Sequence, residues 1–554
     1  MGENTQRLLY GTVVALFAAG LAWATAAAPP ARASSPPKAL HENAGPGTGD
    51  PAVPPSLRRA IQRTLNQDWS QQAELTASDG VGQGSFGISV ALSADGTEAL
   101  VGADDHGNYT YVGAAYVFTR SRSGGTWSQT AELLPADMQQ FDGFGEAVAL
   151  SADGKTAVVG APGYTIDGNP AAGAAYVFNE SNGTWSQTTR FLNRDRYSSN
   201  EGFGTSVAVS GDGLTAIVGS DYGNVTYGAA YVFKNNNGTW SRQAKLTASD
   251  GEQGDEFGFK TALSADGTVA LVSADGRDSY SGVAYVFDES DGGWTQTAEL
   301  APSDGGGFEF QFGYSVALSG SGTIALVGEL CWPDYTYCYG RAYFFTDTGG
   351  AWSQTAVLHD PDGLELNDGF GFGVALSADG ATALVAGVDF SPGGTAHVLR
   401  ASGQTWSQTA ELTASDEAAP GHAFGASMAL STGGTTALAG AASSSSQSYA
   451  GVAYVFTQPV ARVGFRPSSG PPGSITRVRG GGFSPGETVD LSIGRLADKV
   501  QANANGHFTV TLRLPGRAKP GSYTLTAEGE TSGLSAQAVF TVTPTSSGSM
   551  PSGP

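Results

Sequence analysis

One pattern that recurs seven times constrains the fold of this chain more than any other feature of its sequence. Each copy reads approximately Phe-Gly-x-Ser-Val-Ala-Leu-Ser-Ala-Asp-Gly-Thr-x-Ala-Leu-Val-Gly-Ala, then Gly-Ala-Ala-Tyr-Val-Phe, and then Trp-Ser-Gln-Thr-Ala-Glu-Leu. The Phe-Gly pairs begin at Phe86, Phe144, Phe203, Phe257, Phe312, Phe370 and Phe424. The tryptophans are Trp69, Trp127, Trp185, Trp240, Trp294, Trp352 and Trp406. Both series advance in steps of 54 to 59 residues, a period that is typical of one four-stranded propeller blade with generous loops.

Each copy contains four short segments with the pattern of β-strands. In the first copy, residues 89–92 and 99–101 are apolar runs bounded by turn residues, which indicates buried strands. The Ser-Ala-Asp-Gly sequence between them predicts a hairpin with a type I′ turn, because Asp-Gly tolerates the positive φ angles of that turn. Residues 115–118 and 127–133 predict the third and fourth strands.

The two ends of the repeat region predict how a ring of blades closes. The first tryptophan segment, residues 69–75, precedes the first Phe-Gly pair, whereas the last copy ends at Phe456 without a tryptophan segment. We therefore expect the N-terminal strand to complete the C-terminal blade, which would remove open sheet edges. The predicted fold class is all-β: a seven-bladed β-propeller over residues 69–457, followed by a small β-sandwich.

The N-terminus is typical of an export signal. Arg7 precedes an apolar run from Leu8 to about Ala28, and Ala31-Arg32-Ala33 supplies a small-x-small cleavage site, so residues 1–33 are predicted to be a signal peptide. The run is nearly long enough to span a bilayer, and an uncleaved anchor remains an alternative. We expect a secreted or cell-surface protein.

Three further segments flank the propeller. Residues 34–68 predict a Pro/Ala/Ser-rich tether with a short helix near its end. Residues 460–543 contain short strands with turn signals, which fits a β-sandwich. Residues 544–554 predict a disordered tail.

Charge is distributed unevenly along the chain. The formal net charge is −23, but residues 69–459 carry 13 Lys/Arg against 42 Asp/Glu, and residues 460–554 carry 9 against 5. The propeller therefore has a charge of −29 and the C-terminal region +4. Because an acidic propeller repels phosphate backbones, no nucleic-acid partner is expected. We expect no membrane contact beyond the export signal, and a monomer.

The two cysteines lie close together in one predicted loop. Cys331 and Cys338 are seven positions apart, and in an oxidising compartment such a pair favours a local disulfide. A metal site is disfavoured because no histidine lies nearby.

The repeats resemble the FG-GAP repeats of the integrin α-subunit propeller, and more closely the bacterial variety with a Gly-Ala-x-Tyr-Val-Phe strand. The second copy retains the name-giving tripeptide as Gly160-Ala161-Pro162. The resemblance covers residues 69–457 and implies a seven-bladed propeller with a role in adhesion or ligand binding. Residues 482–487, 505–508 and 520–525 resemble the immunoglobulin-like modules of exported bacterial proteins, which act as spacers or attachment domains.

The same resemblance implies calcium, but the local sequence argues against it. Integrin-type blades bind calcium through an Asp-rich loop between their first two strands. Here that loop is Ser-Ala-Asp-Gly, and its single carboxylate belongs to Asp95, Asp153, Asp212, Asp266 and Asp379 in five copies. Calcium takes about six to eight oxygen ligands, so we interpret these residues as turn formers and expect no metal site and no cofactor.

No catalytic residue is predicted, because the six histidines lack metal-ligand spacing and no nucleophile elbow accompanies them. The most variable loops follow the tryptophan strand or join the second and third strands. They should lie on one face, which contacts ligand in integrin-type propellers, and their acidic and aromatic side chains suit protein or glycan recognition. The ligand-face candidates are Asp104, Asp105, Tyr109, Tyr111, Asp167, Asp221, Tyr222, Asp275, Trp332, Tyr335 and Tyr337.

These features predict an exported, non-enzymatic binding or adhesion protein that recognises an extracellular protein or glycan through this face. Two alternatives remain open: a structural protein of the cell surface or matrix, and a glycan-processing propeller enzyme. A central cleft that gathers histidine, tyrosine and acidic residues with shifted pKa values would favour the enzyme. A flat face without such a cluster would favour binding.

Overall fold

The computed structural model describes most of the chain between residues 69 and 544. The described residues are 69–79, 85–105, 111–121, 125–193, 201–221, 227–303, 310–330, 340–360, 369–387, 394–403, 405–415, 422–443, 451–458, 461–483, 486–494, 496–503, 506–530 and 534–544. They divide into two units, which separate at about Val455. No helix in these ranges is long and apolar enough to cross a membrane. The predicted export signal (1–33), tether and helix (34–68) and all but the first residue of the predicted tail (544–554) lie outside them.

The first unit contains seven antiparallel four-stranded sheets among its described residues, one for each copy of the repeat. Blade 1 consists of β2 (Ser89–Leu92), β3 (Glu98–Ala103), β4 (Ala114–Arg120) and β5 (Trp127–Leu133). Blade 2 consists of β6 (Val148–Leu150), β7 (Thr156–Ala161), β8 (Ala174–Ser181) and β9 (Thr184–Phe191). Blade 3 consists of β10 (Val207–Val209), β11 (Thr215–Ser220), β12 (Ala229–Asn236) and β13 (Thr239–Leu246).

Blades 4 to 6 repeat this order. Blade 4 consists of β14 (Thr261–Leu263), β15 (Val269–Ala274), β16 (Val283–Ser290) and β17 (Gly293–Leu300), with an irregular helical turn, α1 (Arg277–Tyr280), between β15 and β16. Blade 5 consists of β18 (Phe312–Leu318), β19 (Ile324–Glu329), β20 (Arg341–Asp347) and β21 (Trp352–Leu358). Blade 6 consists of β22 (Val374–Leu376), β23 (Thr382–Gly387), β24 (Thr395–Ser402) and β25 (Thr405–Leu412).

Blade 7 is assembled from both ends of the repeat region. Its strands are β26 (His422–Leu430), β27 (Thr436–Ser443), β28 (Val452–Thr457) and β1 (Ser70–Leu75). The sheet order is β1-β28-β27-β26, so the N-terminal strand is hydrogen-bonded to the last strand of the seventh copy. No edge of β28 is left open, which is how propellers avoid edge-to-edge aggregation.

A continuous ring of backbone hydrogen bonds joins the seven blades at one end. The first strands β2, β6, β10, β14, β18, β22 and β26 each contact the first strands of both neighbouring blades and surround the central axis. At the turn after each first strand, one backbone N–H donates to a carbonyl of the next blade at 2.8–3.2 Å. Each N–H donates to the carbonyl of the next residue in the series Ala94, Ala152, Gly211, Ala265, Gly320, Ala378 and Thr432. The N–H of Thr432 donates back to the carbonyl of Ala94. The ring is therefore closed.

The turn that carries this ring is not the predicted type I′ turn. In the first copy the N–H of Gly96 donates to the carbonyl of Ser93 at 2.9 Å, and Gly96 has a φ of +68°, whereas Asp95 has no positive φ. A type I′ turn requires positive φ at both central residues, so that prediction was wrong. Type I′ geometry occurs instead in hairpins between third and fourth strands, where Asn182 and Gly183 have φ of 53° and 81°.

Two glycines of the repeat meet where adjacent blades pack. A Cβ atom on Gly102 would lie 2.0 Å from the carbonyl oxygen of Gly145, the glycine of the next Phe-Gly pair, and Gly145 itself has a φ of +97°. Real Cβ atoms do not approach an oxygen so closely, so neither position accepts a larger side chain without backbone movement. The Phe-Gly pair and the Val-Gly-Ala segment are therefore complementary halves of one interface.

The blade core is aromatic. All seven phenylalanines of the Phe-Gly pairs are buried, and in blade 2 the ring of Phe144 meets Tyr176 edge-to-face with centroids 5.6 Å apart. The repeat tryptophans lie further out. Trp127 is buried, while Trp240 and Trp406 are half-buried and pack on Phe191 and Phe344 of the preceding blade.

The second unit is a two-sheet sandwich. A three-stranded sheet has the order β29 (Arg462–Arg466), β31 (Ile475–Gly481), β34 (Phe508–Arg513). A five-stranded sheet has the order β30 (Ser469–Gly470), β36 (Ser535–Val542), β35 (Gly521–Gly529), β32 (Thr488–Ile493), β33 (Leu496–Gln501). Inward side chains, among them Val478, Val489, Leu491, Phe508 and Leu525, form its core. The predicted fold class, an all-β propeller followed by a sandwich, is confirmed.

Candidate functional site

Each blade has two chemically different ends. In blade 1, Ser89 pairs with Gly102, so the start of β2 and the end of β3 lie together at one end, and the hairpin between β2 and β3 lies at the other. We call the end with the connections between blades and between second and third strands the loop face. The end with the hydrogen-bonded ring of hairpins is the turn face.

The aspartates of the turn face are used within their own turns. Asp95 Oδ1 accepts the Ser93 hydroxyl at 2.8 Å, the Thr97 hydroxyl at 2.7 Å and the Thr97 backbone N–H at 3.0 Å. Asp153, Asp212, Asp266 and Asp379 accept the equivalent serine hydroxyl at 2.5–2.7 Å. Burial alone would raise the pKa of Asp95, but these hydrogen bonds outweigh it and lower that pKa. The turn-former interpretation accounts for these contacts.

Several acidic residues of the loop face also have internal partners. The repeat tyrosine of one blade donates its hydroxyl to an aspartate that follows the fourth strand of the preceding blade. Tyr116 donates to Asp79 at 2.9 Å and Tyr176 donates to Asp137 at 3.3 Å. In blade 4, Tyr285 donates to Asp250 at 3.2 Å, and Arg277 pairs with the same carboxylate. These carboxylates join adjacent blades.

A second set of carboxylates on the loop face is gathered more tightly and has fewer partners. We call it the acidic cluster: Asp104, Glu146, Asp221, Glu256 and Asp275. Three of them directly follow second strands, Glu146 follows the Phe144-Gly145 pair, and Glu256 precedes Phe257. Glu146 interacts across blades with Asp104 and Asp221, and Asp275 interacts with Glu256 of its own blade and with Asp221 of the preceding blade. Lys260 supplies a positive charge that acts on Glu146, Asp221 and Asp275.

Burial and mutual repulsion shift the ionisation of this cluster. Burial, reinforced by the charges of Asp104 and Asp221, raises the pKa of Glu146 to about 8. Burial, together with Glu256, raises the pKa of Asp221 to about 7, and burial raises that of Asp104 to about 6. The pKa of Asp275 is also raised well above its ordinary value by burial and by Glu256. The cluster therefore holds protons at neutral pH that ordinary carboxyl groups would have released.

Four carboxylate oxygens of the cluster have no hydrogen-bond partner within the described protein. They are both oxygens of Asp275 and one Oδ1 each of Asp104 and Asp221. The exposed fractions of these residues are 0%, 7% and 6%. Each buried polar atom left without a partner costs about 1–3 kcal/mol. These four oxygens are thus acceptors that the described part of the protein does not satisfy.

An aromatic row adjoins the cluster. Phe259, Tyr314 and Phe372 occupy the position immediately after the Phe-Gly pair in blades 4, 5 and 6, and all three are half-buried. Ring centroids are 5.6 Å apart between Phe259 and Tyr314 and 4.9 Å apart between Tyr314 and Phe372. Lys260 Nζ lies 4.8 Å from the centroid of Phe259, in cation–π geometry, and links the row to the cluster.

The structure places the predicted ligand-face residues in different environments. Asp104, Asp221 and Asp275 are brought together in the acidic cluster, but they are buried rather than displayed in exposed loops. Gly145 of the next blade approaches the backbone at Ala103, and this blade contact covers the ends of the second strands. An acidic residue at the end of a second strand therefore belongs to the interface between blades as much as to the surface.

The other described candidates are spread over the loop face. Asp105 is buried and accepts the backbone N–H of Tyr111 at 3.2 Å, and Tyr111 stacks on Phe141. Asp167 is exposed at a loop tip with a φ of +50°. Tyr109, Tyr222, Trp332, Tyr335 and Tyr337 lie outside the described residues, as do Cys331 and Cys338, so their predicted roles and the disulfide stay predictions.

The sequence contains a signal for the residues that we did not predict. The position after each Phe-Gly pair varies widely among otherwise similar copies: it holds Ile88, Glu146, Thr205, Phe259, Tyr314, Phe372 and Ala426. A variable position inside a constant motif indicates a side chain that leaves the core, and six of these seven are half-buried, Thr205 being buried. Glu146 and the aromatic row could have been found in this way.

Other chemistry has little support in the described residues. No group of three or more His, Cys, Asp and Glu side chains there is arranged to hold a metal ion. His397 is fully buried in β24, and its ring nitrogens face Thr395 at 3.2 Å and Gln408 at 3.1 Å within its own blade. The acidic cluster therefore gathers shifted carboxylates without this histidine.

Comparison with known proteins assigns the repeats to a family. A model of the FG-GAP repeat matches more than half of the chain, at residues 69–118, 127–178, 185–233, 240–287, 294–345 and 406–456. The chain belongs to the FG-GAP repeat family. Each match begins at a repeat tryptophan and spans the fourth strand of one blade and the first three strands of the next. Residues 346–405 lie between two matches, yet this FG-GAP protein builds β21 to β24 there in the same order.

The sandwich of this FG-GAP protein matches a model of the macroglobulin-like domain over residues 459–542. Solved structures of similar fold include U3-55K, at 10% identity over 70% of this chain and 98% of that chain, with a TM-score of 0.44. Another is Saccharomyces cerevisiae Sqt1, at 10% identity over 80% and 98% of the two chains, with a TM-score of 0.39. None of the curated proteins shows a significant sequence match.

Proposed function

We propose that this FG-GAP protein is a non-enzymatic binding protein of the cell exterior, whose loop face holds a protein ligand by a lysine or arginine side chain of that ligand. The observation that carries the proposal is the acidic cluster with its four unpartnered carboxylate oxygens. An ammonium or guanidinium group that bonds to the half-buried Glu146 would supply positive charge beside these oxygens, which are themselves buried.

The electrostatics of the propeller support a cationic ligand. Residues 69–459 carry a net charge of −29, and within the cluster the ammonium group of Lys260 acts on Glu146, Asp221 and Asp275. Carboxylates beside low-dielectric walls concentrate the electric field and raise the local concentration of cations. A basic ligand would be attracted to the acidic propeller as a whole, and the cluster would hold it because its oxygens, unlike those of the turn-face aspartates, are not engaged by donors of their own turns.

The accessible parts of the site fit a long basic side chain. Glu146 is half-buried and is the member of the cluster that a ligand would touch first. The half-buried rings of Phe259, Tyr314 and Phe372 would cover the methylene stem, and Lys260 over Phe259 already shows the cation–π geometry that a second cation would use.

Proton linkage gives the proposal a pH signature. A bound cation favours the ionised carboxylate, so binding would release protons from Glu146 and Asp221, whose pKa values are about 8 and 7. Affinity should therefore increase as pH rises from 6 to 8. Loose attraction to ordinary surface carboxylates, which are fully ionised in this interval, would not change.

The proposal is tested by probing the immobilised full chain with an array of peptides that vary in lysine and arginine content. We expect selective capture of basic peptides, and its loss in the double variant Glu146→Gln/Asp221→Asn. The matched control is Asp288→Asn/Asp291→Asn, which removes the same charge from the end of β16 and the hairpin that follows it, at the turn face of the same propeller.

Equal capture by both double variants would refute the role of the cluster. Capture of no peptide by the native chain would favour the structural alternative.

One observation also favours a second candidate, a glycan-processing enzyme. Carboxyl groups with pKa values of about 8 in Glu146 and about 7 in Asp221 lie in the range that general acid–base catalysis uses near neutral pH. Incubation of the full chain with a panel of glycans would decide: new reducing ends that appear with the native chain and disappear with Glu146→Gln would support catalysis. Unchanged glycans would leave binding as the function.

A further inference from the structure

We propose that the outer face of the three-stranded sheet of the sandwich binds a linear anionic polysaccharide whose sugars carry carboxylates. This surface, which we call the arginine face, consists of Arg462, Arg466, Arg477, Arg479 and Arg513. It belongs to a different domain from the acidic cluster and does not depend on the function proposed above.

Strand register places all five arginines on one side of the sheet. Arg466 lies directly opposite Arg477, and Gly464 lies opposite Arg479, so the arginines of β29 and β31 share a face. Arg513 of β34 lies opposite Ile475, two positions before Arg477. Residues between these positions, such as Val478, point into the core. All five arginines and Ile475 are exposed.

The arginine face carries repulsion that its own domain does not relieve. Like charges directly opposite each other, as in the Arg466–Arg477 pair, destabilise a sheet. The domain has five acidic residues, but they are Glu487, Asp490, Asp498, Glu528 and Glu530 of the other sheet and its loops. No acidic residue occupies an outward position of β29, β31 or β34.

The other sheet shows how the same conflict is resolved when only stability matters. Asp490 lies opposite Glu528, which is again a like-charge pair. There Lys499 lies opposite Asp490 on the other side and bonds to its carboxylate at 3.0 Å, and Lys499 also pairs with Glu530. The arginine face has no such counter-ion among the described residues of the sandwich. Its positive charge is therefore available to an external anion.

The shape of the face suits an extended polymer. An open pocket of about 530 Å³ lies on this face and is lined by Arg466, Ile475, Thr476, Arg477, Arg479 and Thr511. Alternate residues of a strand are about 6.5–7 Å apart and neighbouring strands about 4.8 Å apart. Guanidinium groups at these spacings can meet successive carboxylates of one chain, and each planar fork can bind a carboxylate through two parallel hydrogen bonds.

The composition of the face favours a polysaccharide over a nucleic acid. Threonine hydroxyls of Thr509 and Thr511 lie beside the arginines and can bond to sugar hydroxyl groups. The outward positions of the three strands contain no aromatic side chain on which a base could stack. Duplex DNA carries a charge about every 1.7 Å, so the propeller of charge −29 repels it more strongly than a polymer with one charge per sugar.

The test is binding of polygalacturonate to the full chain at low salt, with neutral dextran and duplex DNA as further probes. We expect binding to polygalacturonate, weakened at least tenfold in Arg477→Gln/Arg479→Gln. The charge-conserving variant Arg477→Lys/Arg479→Lys should lose part of the affinity, because an ammonium group lacks the planar fork. The matched control Arg517→Gln/Lys519→Gln removes the same charge from an exposed turn of the same domain and should bind as the native chain does.

Three outcomes would overturn the proposal: no binding to polygalacturonate, equal loss in the control and the arginine-face variants, or tighter binding to DNA than to polygalacturonate. Loss of folding would not imitate the expected result, because removal of a like-charge pair should leave the melting temperature of Arg477→Gln/Arg479→Gln unchanged or slightly raised.

Discussion

The aspartates on the turn face of the propeller and the acidic cluster on its loop face are treated in opposite ways. On the turn face, each aspartate accepts hydrogen bonds from its own turn, and the pKa values of Asp95 and Asp266 are lowered as a result. On the loop face, burial and the neighbouring carboxylates of the acidic cluster raise the pKa values of Asp104, Glu146, Asp221 and Asp275. The same residue type therefore stabilises the ring at one end and stores unfavourable energy at the other.

This difference follows from where the turns and the blade contacts lie. A hairpin turn provides backbone N–H groups that a short carboxylate can reach, and the serine before it adds a hydroxyl. At the end of β15, both side-chain oxygens of Asp275 lack a hydrogen-bond partner among the described residues, and the segment before β14 of the same blade brings Glu256 close to it. Sites that lack internal compensation are where ligands bind most often.

The largest expected effect is on the pH dependence of stability. A carboxyl group with a raised pKa in the folded state stabilises the fold at low pH, and that contribution is lost as pH rises through its folded pKa. The melting temperature should therefore rise by several degrees between pH 8 and pH 5, because Glu146, Asp221 and Asp104 have pKa values of about 8, 7 and 6. Below about pH 4, protonation of Asp95 and Asp266 should lower it again.

Thermal melts of two double variants separate the cluster from the general charge of −23. Glu146→Gln/Asp221→Asn should flatten the profile between pH 8 and 5, and the turn-face control Asp288→Asn/Asp291→Asn should leave it intact. A native profile that falls on acidification from pH 8 to 5 would break the comparison between the two faces.

Removal of a buried hydroxyl group on the turn face should destabilise the protein at every pH. Ser151 is fully buried, its hydroxyl accepts the backbone N–H of Thr156 at 2.9 Å, and it donates to Asp153 at 2.7 Å. Ser151→Ala leaves that backbone donor with less compensation, so we expect the free energy of unfolding to fall by about 2 kcal/mol. Denaturant titration measures this. An unchanged midpoint would show that the turn network contributes nothing.

Substitution of a buried carboxyl group on the loop face should instead stabilise the protein. Asp275→Asn removes a fully buried carboxyl group whose oxygens have no partner in the described protein. We expect the free energy of unfolding at pH 8 to rise by about 1–2 kcal/mol. The gain should shrink toward pH 5, where the native carboxyl group is already protonated. Destabilisation at pH 8 would mean that Asp275 has a structural partner and that the cluster is self-sufficient.

The repeat allowed the architecture to be predicted, because its strands, its period and its two unmatched ends are local features of the chain. The predicted turn type was wrong because the prediction rested on the Asp-Gly pair without the serine that precedes it. In Ser93-Ala94-Asp95-Gly96 the serine and aspartate side chains hold the turn, and only the glycine takes a positive φ. The hairpin that does have type I′ geometry contains Asn182-Gly183, a pair that also favours this turn in the sequence.

The candidate site was only partly predictable. Asp104, Asp221 and Asp275 were found because acidic residues follow three of the second strands, but their burial depends on contacts with neighbouring blades. Glu146 and Lys260 come from different blades, and no spacing within one copy brings them together. The arginine face needed the register of β29 against β31, which sets Arg466 opposite Arg477 across a loop.

The most direct test of the binding proposal is calorimetric titration of the full chain with a tri-arginine peptide at pH 6 and pH 8, in buffers of different ionisation enthalpy. The proposal predicts affinity about tenfold higher at pH 8 and proton release on binding, since Glu146 and Asp221 have pKa values of about 8 and 7. Both signatures should vanish in Glu146→Gln/Asp221→Asn and persist in the turn-face control Asp288→Asn/Asp291→Asn. Binding that is independent of pH, releases no protons and weakens equally in both variants would contradict it.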